Sequence, residues 1–214
     1  MSCFEPADED LSRYPGFQCF KSTAPVHYPK RWHRDALIQA ALDPAVSAIG
    51  PFQQKPWPEL VEFAFSVTIA DSRFTCLIDG PSGRPQLGPA PPTLRISRSA
   101  LRSEPLYSTC RAVWSRKRLS TDPAARYQVL EATAATVEGA RAGEVIDLIR
   151  RSHREPIDQL LAMLAQGFLI ADLSGGLSAR TLIRPGPQFE PRNESNPRRR
   201  LHAILTDSDD LTAL

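Results

Sequence analysis

The stretch DPAARYQVLEATAATVEGARAGEVIDLIRRSHREPIDQLLAMLAQGFLIADLSGGLSARTLIRP, residues 122–185, decides how the rest of the chain is read. It holds three segments of helical period and then a short apolar hairpin. Asp122 is placed to cap the orphan N–H groups of a helix whose first residue, Pro123, has no N–H to lose. Tyr127, Leu130, Ala134 and Val137 recur on one side of that helix. A second segment follows Gly143, with Val145, Leu148 and Ile149 apolar. Arg150 and Arg151 end it, where cations suit the helix dipole. The third starts at Glu155-Pro156, carries Ile157, Leu160, Leu161 and Leu164 at i, i+3, i+4 and i+7, and stops at Gly167. Phe168 to Leu173, a Gly175-Gly176 turn and Thr181-Leu182-Ile183 then read as two paired strands. Three helices and a two-stranded wing are the outline of a winged helix, whose third helix usually reads DNA.

The third helix carries little that reads DNA. Its expected outward residues are Asp158, Gln159, Ala162, Met163 and Gln166, none of them Arg or Lys, and only Gln159 suits a base edge. Two readings follow. The domain is a structural or protein-docking unit, or DNA is met just before the third helix by Arg150, Arg151, His153 and Arg154.

Composition narrows the classes. The chain has 214 residues, 42% hydrophobic, with a net charge of +2, so any case for nucleic acid rests on local clusters. Lys21, Lys30, Lys55 and Lys117 are the only lysines, and the Arg, Ala and Pro content fits a GC-rich bacterial genome. Cys3, Cys19, Cys76 and Cys110 form no Cys-x-x-Cys pair, and His27, His33, His153 and His202 no helix-spaced pair. The acidic N-terminus does not resemble a signal peptide and no transmembrane run is present, so the cytoplasm and no membrane partner are expected.

Upstream, residues 1–29 read as an irregular segment in which Phe17, Cys19 and Phe20 form a short strand or pack on the body. Arg31 to Leu42 reads as a helix ended by Asp43-Pro44. Ala45 to Ile49 leads to a break at Gly50-Pro51. Val61, Phe63, Phe65, Val67 and Ile69 alternate strictly, as do Phe74, Cys76 and Ile78, which predicts a hairpin turning at Ala70 to Arg73. A Pro-rich loop then reaches a short strand at Thr93 to Ser97.

Between Thr93 and Arg118 the charge is one-sided. Arg95, Arg98, Arg102, Arg111, Arg116, Lys117 and Arg118 face one acid, Glu104. With Tyr107 and Trp114 interleaved, this is a nucleic-acid contact or a solvated connector between domains. Trp114 is expected to pack in the seam. The tail after Pro185, with Arg198-Arg199-Arg200 and three late Asp residues, has the composition of a disordered segment.

The order of these elements resembles the TnsA family of transposon endonucleases. The local text is His33-Arg34-Asp35-Ala36-Leu37-Ile38, Leu42-Asp43-Pro44-Ala45-Val46, Gln53-Gln54-Lys55-Pro56, Ala112-Val113-Trp114-Ser115-Arg116 and Leu164 to Leu173. The resemblance spans about Trp32 to Pro185. It implies an α+β chain: a restriction-endonuclease-like mixed sheet with helices over 30–110, a basic connector at 111–121, a winged helix over 122–185, and a tail at 186–214. It also implies a PD-(D/E)xK-like site holding a divalent metal that activates water.

The sequence departs from that site. Cys76-Leu77 stands where the family has Pro-Asp, and Arg95 and Ser97 stand where it has an acid and a Lys. Asp35 matches the acid of the first helix, and Asp79 is a second carboxylate two residues beyond the usual place. The expectation is therefore a catalytically silent TnsA-like protein, binding DNA or a partner such as a transposase subunit, and tied to mobile DNA. No cofactor is expected; Mg²⁺ enters only if Asp35 and Asp79 serve as displaced ligands of an active nuclease. A winged-helix transcription regulator is the other alternative. Phosphate contacts are expected from Arg95, Arg98, Arg102, Arg111 and Arg116, and from Arg150, Arg151 and Arg154.

Overall fold

The computed structural model describes residues 14–52, 61–79 and 92–188. The residues through 13, the Gln53-Gln54-Lys55-Pro56 phrase, the loop over 80–91 and the tail from 189, with its Arg triplet, lie outside them. The fold is α+β. Among the described residues no helix is long and apolar enough to cross a membrane.

Helix α1, Arg31–Leu42, has the bounds read from sequence; Ala36, Leu37, Ala41 and Leu42 are buried, and its C-cap is Asp43. Strand β3, Val46–Pro51, reads in the sequence only as a lead into a break. It pairs antiparallel with β4, Val61–Ile69, and a register shift between Val46 and Ala48 removes the alternation that would have announced it. β4 turns into β5, Ser72–Asp79, through Ala70 and Asp71, at φ 47° and 62°. Positive φ at both turn residues matches the twist of the hairpin. β6, Thr93–Ile96, lies beside β5 and runs parallel to it, so the sheet order is β3-β4-β5-β6. Both faces of the central strands are buried: Phe63 and Phe65 on one, Ala64 and Leu77 on the other.

The basic stretch is mostly helical. α2 is Arg98–Leu101 and α3 is Leu106–Ser115. Leu106, Cys110, Val113 and Trp114 fall at i, i+4, i+7 and i+8, an apolar stripe hidden in sequence by the charges around it. The C-terminal part runs α4 (Pro123–Ala134), β7 (Ala140–Arg141), α5 (Ala142–Arg150), α6 (Pro156–Ala165), β8 (Leu169–Ala171) and β9 (Leu182–Pro185). α3 packs on α1 and on α6.

The expected pair of C-terminal strands is a three-stranded sheet, ordered β7-β9-β8. Asp122 caps α4 as read, accepting from the N–H groups of Ala124 and Ala125. The buried side of α4 differs from the expected one. Ala125, Val129, Leu130 and Thr133 are inside, whereas Tyr127 is half exposed and Val137, beyond the helix end, fully so. Thr133 is tolerated there because its hydroxyl donates to the Val129 and Leu130 carbonyls at 2.9 and 3.1 Å.

α6 is the larger correction. Leu160 and Leu164 are buried as read, but Ile157 is 56% exposed, and Gln159, Ala162 and Met163, expected outward, are buried. α3, α5 and β8 all pack against this helix, so it is enclosed rather than presented. Gly167 ends it at φ 79°, and the Phe20 ring fills the place where a Cβ would be.

An N-terminal arm ties the parts together. β1 (Gly16–Phe17) pairs with β2 (Val26–His27), and Ser22 bridges Ile49 at the β3 edge of the large sheet. Phe17 stacks on Trp114 at 5.0 Å between centroids. One continuous cluster of buried side chains runs from α1 and the large sheet through α3 to α6 and β9.

Candidate functional site

The arginines of the basic stretch separate into different environments. Arg98 and Arg102 lie on and just after α2 and Arg111 lies on α3, all exposed, and the fold brings them to the flank of α1. Arg98 lies over the Trp32 ring at 5.4 Å. Arg111 lies over the Tyr107 ring and donates from Nη1 to the Tyr107 hydroxyl at 2.9 Å. Asp35 stands among Arg111, Arg34 and Arg102, and Tyr107 hydrogen-bonds its carboxylate. Burial raises the Asp35 carboxyl above its ordinary range, and these cations and the Tyr107 bond oppose the rise without cancelling it. Three arginines around one carboxylate, with Arg98 beside them over Trp32 and Arg111 over Tyr107, form a surface suited to phosphate oxygens.

Arg34 and Trp32 were missed as members of this surface. The only sequence sign was a basic flank on α1, and the partners lie some sixty residues downstream in the chain. Arg95 is exposed on β6 beside Leu77. Arg116 keeps 42% of its side chain exposed but is committed to α6, its Nε donating to Asp158 Oδ1 at 2.8 Å. Arg150 pairs with Asp147 at 2.6 Å, while Arg151 and Arg154 are exposed after α5.

The polar side chains of α6 and its C-cap hold the chain's own connector. Gln159 is 2% exposed; its Oε1 accepts from the Asp122 N–H at 3.1 Å and its Nε2 donates to the Ser120 carbonyl at 3.3 Å. Gln166 Nε2 donates to the carbonyls of Lys117 and Leu119 at 3.1 and 2.6 Å. With Arg116–Asp158, three side chains of this element fix residues 116–122. The expectation that Gln159 could reach a base edge is overturned, since both ends of its amide are engaged inside the fold. Lys117 extends the clamp: its Nζ lies 4.6 Å from the Trp114 ring centroid and donates to the Gln18 carbonyl of the N-terminal arm.

Around the position where the family resemblance places a metal, Leu77 pairs with Ala64 and stands beside Arg95 in the parallel register. Side-by-side residues share a sheet face. Phe63 belongs to the other face, where it stacks on His33 of α1 at 4.7 Å. Asp35, also on α1, turns instead to Tyr107 and Arg111 of α3, so Asp35 and Leu77 are on different sides of the sheet. Asp79 ends β5 opposite Val61, and its side chain is outside what is described. Among the described residues no three His, Cys, Asp or Glu side chains gather as metal ligands. No protein-family model matches the chain, and no curated protein sequence matches it.

Proposed function

We propose that this protein is a catalytically silent relative of the TnsA-like transposon endonucleases, serving as a DNA- or partner-binding component tied to mobile DNA. The observation that carries this reading is the register of β5 and β6. An apolar Leu77 stands beside a cationic Arg95 where such a nuclease needs oxygen ligands. Mg²⁺ requires several oxygens in near-octahedral order. A guanidinium about 4 Å from the ion would oppose it by roughly 8 kcal/mol at an effective dielectric near 20, since the repulsion between two unit charges doubles for a divalent ion.

Two further features support the descent. A three-strand antiparallel run followed by a parallel fourth strand, with a helix across one face, supports the restriction-endonuclease-like reading of the large sheet. The order α4-β7-α5-α6-β8-β9, closed by the sheet β7-β9-β8, supports the winged-helix reading of this part. Since α6 is engaged by residues 116–122, binding is assigned to the arginine surface of α1, α2 and α3.

Supercoiled plasmid incubated with the full chain and Mg²⁺ or Mn²⁺ tests the silence of the site. The expected result is no nicking at any protein concentration. Nicking that disappears in Asp35→Ala or Asp79→Ala would show a displaced active site and end this reading.

A further inference from the structure

Two guanidiniums of the arginine surface lie over aromatic rings, Arg98 over Trp32 at 5.4 Å and Arg111 over Tyr107 at 5.5 Å. The fold holds both pairs. Trp32 packs against the core and meets the His33 ring edge-on at 4.3 Å. The Tyr107 hydroxyl accepts from Arg111 and bonds the Asp35 carboxylate, which ties α3 to α1. Trp32 and Asp35 stand at i and i+3 on α1, neighbours on one side of that helix. The two pairs are therefore adjacent. In each the ring is partly buried and the arginine exposed, so the guanidinium is the layer nearer to solvent.

A surface that met phosphates alone would gain nothing from guanidiniums laid on rings, and the Asp35 carboxylate among its arginines would weaken it. A planar guanidinium backed by an aromatic ring is a platform on which a nucleic-acid base can stack. Duplex DNA keeps its base faces inside its own stack and offers this surface only phosphates. An unpaired strand offers phosphates to Arg34 and Arg102, beside Asp35, and bases to Arg98 and Arg111.

On the proposed assignment of DNA binding to this surface, we infer that it takes single-stranded DNA in preference to duplex. Two bases stack on the Arg98 and Arg111 guanidiniums, and the backbone between them meets Arg34 and Arg102. Such stacking tolerates any sequence, because every base has a flat face. Duplex DNA still binds, but through salt-sensitive phosphate contacts alone.

The test is fluorescence anisotropy of the full chain at one KCl concentration with three labelled probes of equal length: an oligothymidylate, a duplex and an abasic single strand. The oligothymidylate is expected to bind about tenfold tighter than either of the others, which is within what one stacked base contributes. Arg98→Lys combined with Arg111→Lys keeps both charges and removes both planar groups. It should abolish that preference and leave duplex affinity nearly unchanged. The abasic comparison needs no variant and stands whether or not the double replacement folds. Equal or tighter binding of the duplex, equal binding of the abasic strand, or a preference that survives the double replacement overturns the inference and leaves DNA binding at this surface standing. An oligouridylate that binds tighter than the oligothymidylate overturns it as well, by making RNA the partner. No binding to any probe removes the DNA-binding reading itself, and the inference with it.

Discussion

Gln159 is a polar residue whose role is set by burial. Removing its amide leaves the Asp122 N–H and the Ser120 carbonyl without their partner in a place water reaches poorly. Gln159→Leu should therefore lower the unfolding free energy by about 1–3 kcal/mol in urea denaturation, with DNA affinity of the folded fraction unchanged. Asp35 tests the arginine surface through pH. Its carboxyl is raised mainly by burial, from an ordinary value of 3.8. The ionised form is the one the fold disfavours, so its contribution is most favourable when protonated and is lost as pH rises through the raised folded value. Asp35→Asn should match the wild type below about pH 3.8 and become the more stable of the two above the folded value. Melting curves across that window measure the difference, and a variant that is less stable at neutral pH contradicts it.

At the scale of elements, α6 shows how a neighbour reassigns a helix face. Its sequence has an apolar side and a mixed side, and the mixed side carries Ala162 and Met163 beside its polar residues. In isolation that side would meet water. Here α3 covers part of it and residues 116–122 take its hydrogen bonds. A fragment of residues 118–188 keeps the α4-to-β9 unit but lacks α3. A fragment of residues 105–188 regains Cys110, Val113 and Trp114 as cover. Scanning calorimetry should show the longer fragment melting cooperatively at the higher temperature. Equal midpoints would mean that α3 adds nothing to α6. Leu160, fully buried at the centre of the helix, is the position where truncation to Ala should cost most, about 2–5 kcal/mol.

For the whole molecule the net charge of +2 is a poor guide, because the charges are partitioned by the fold. Arg116 and Arg150 are occupied by Asp158 and Asp147, while Arg34, Arg102 and Arg111 gather around one carboxylate and Arg98 lies over Trp32, on the same helix as that carboxylate. DNA binding at that surface should ignore sequence and fall steeply with salt. Neutralising Arg98, Arg102 and Arg111 to Gln should reduce the slope of log affinity against log salt by about 2.7, at roughly 0.9 for each phosphate that is no longer neutralised. The same change at Arg150, Arg151 and Arg154 should leave the slope nearly intact. Fluorescence anisotropy with one duplex over a range of KCl reads both, and a larger effect from the second set would move the interface to the end of α5.

The residue order alone determined the elements whose signal is local. α1 and the β4–β5 hairpin came from periodicity, the start of α4 from Asp122-Pro123, and the end of α6 from Gly167, because caps and repeats act within a few residues. The strand residues Leu77 and Arg95 were legible as an apolar and a cationic side chain, and the parallel register of β5 and β6 sets them side by side. Only the tertiary structure decided which helix faces are inside. Tyr127 and Ile157 lie outward, and Gln159 and Met163 inward, because burial depends on what packs against a helix. Arg98, Arg102 and Arg111 were legible as a basic run, but the addition of Arg34 and Trp32 from α1 was hidden for the same reason. The meeting of Arg34, Arg102 and Arg111 at Asp35 is made by the packing of α3 on α1, between residues distant in sequence that no local pattern links.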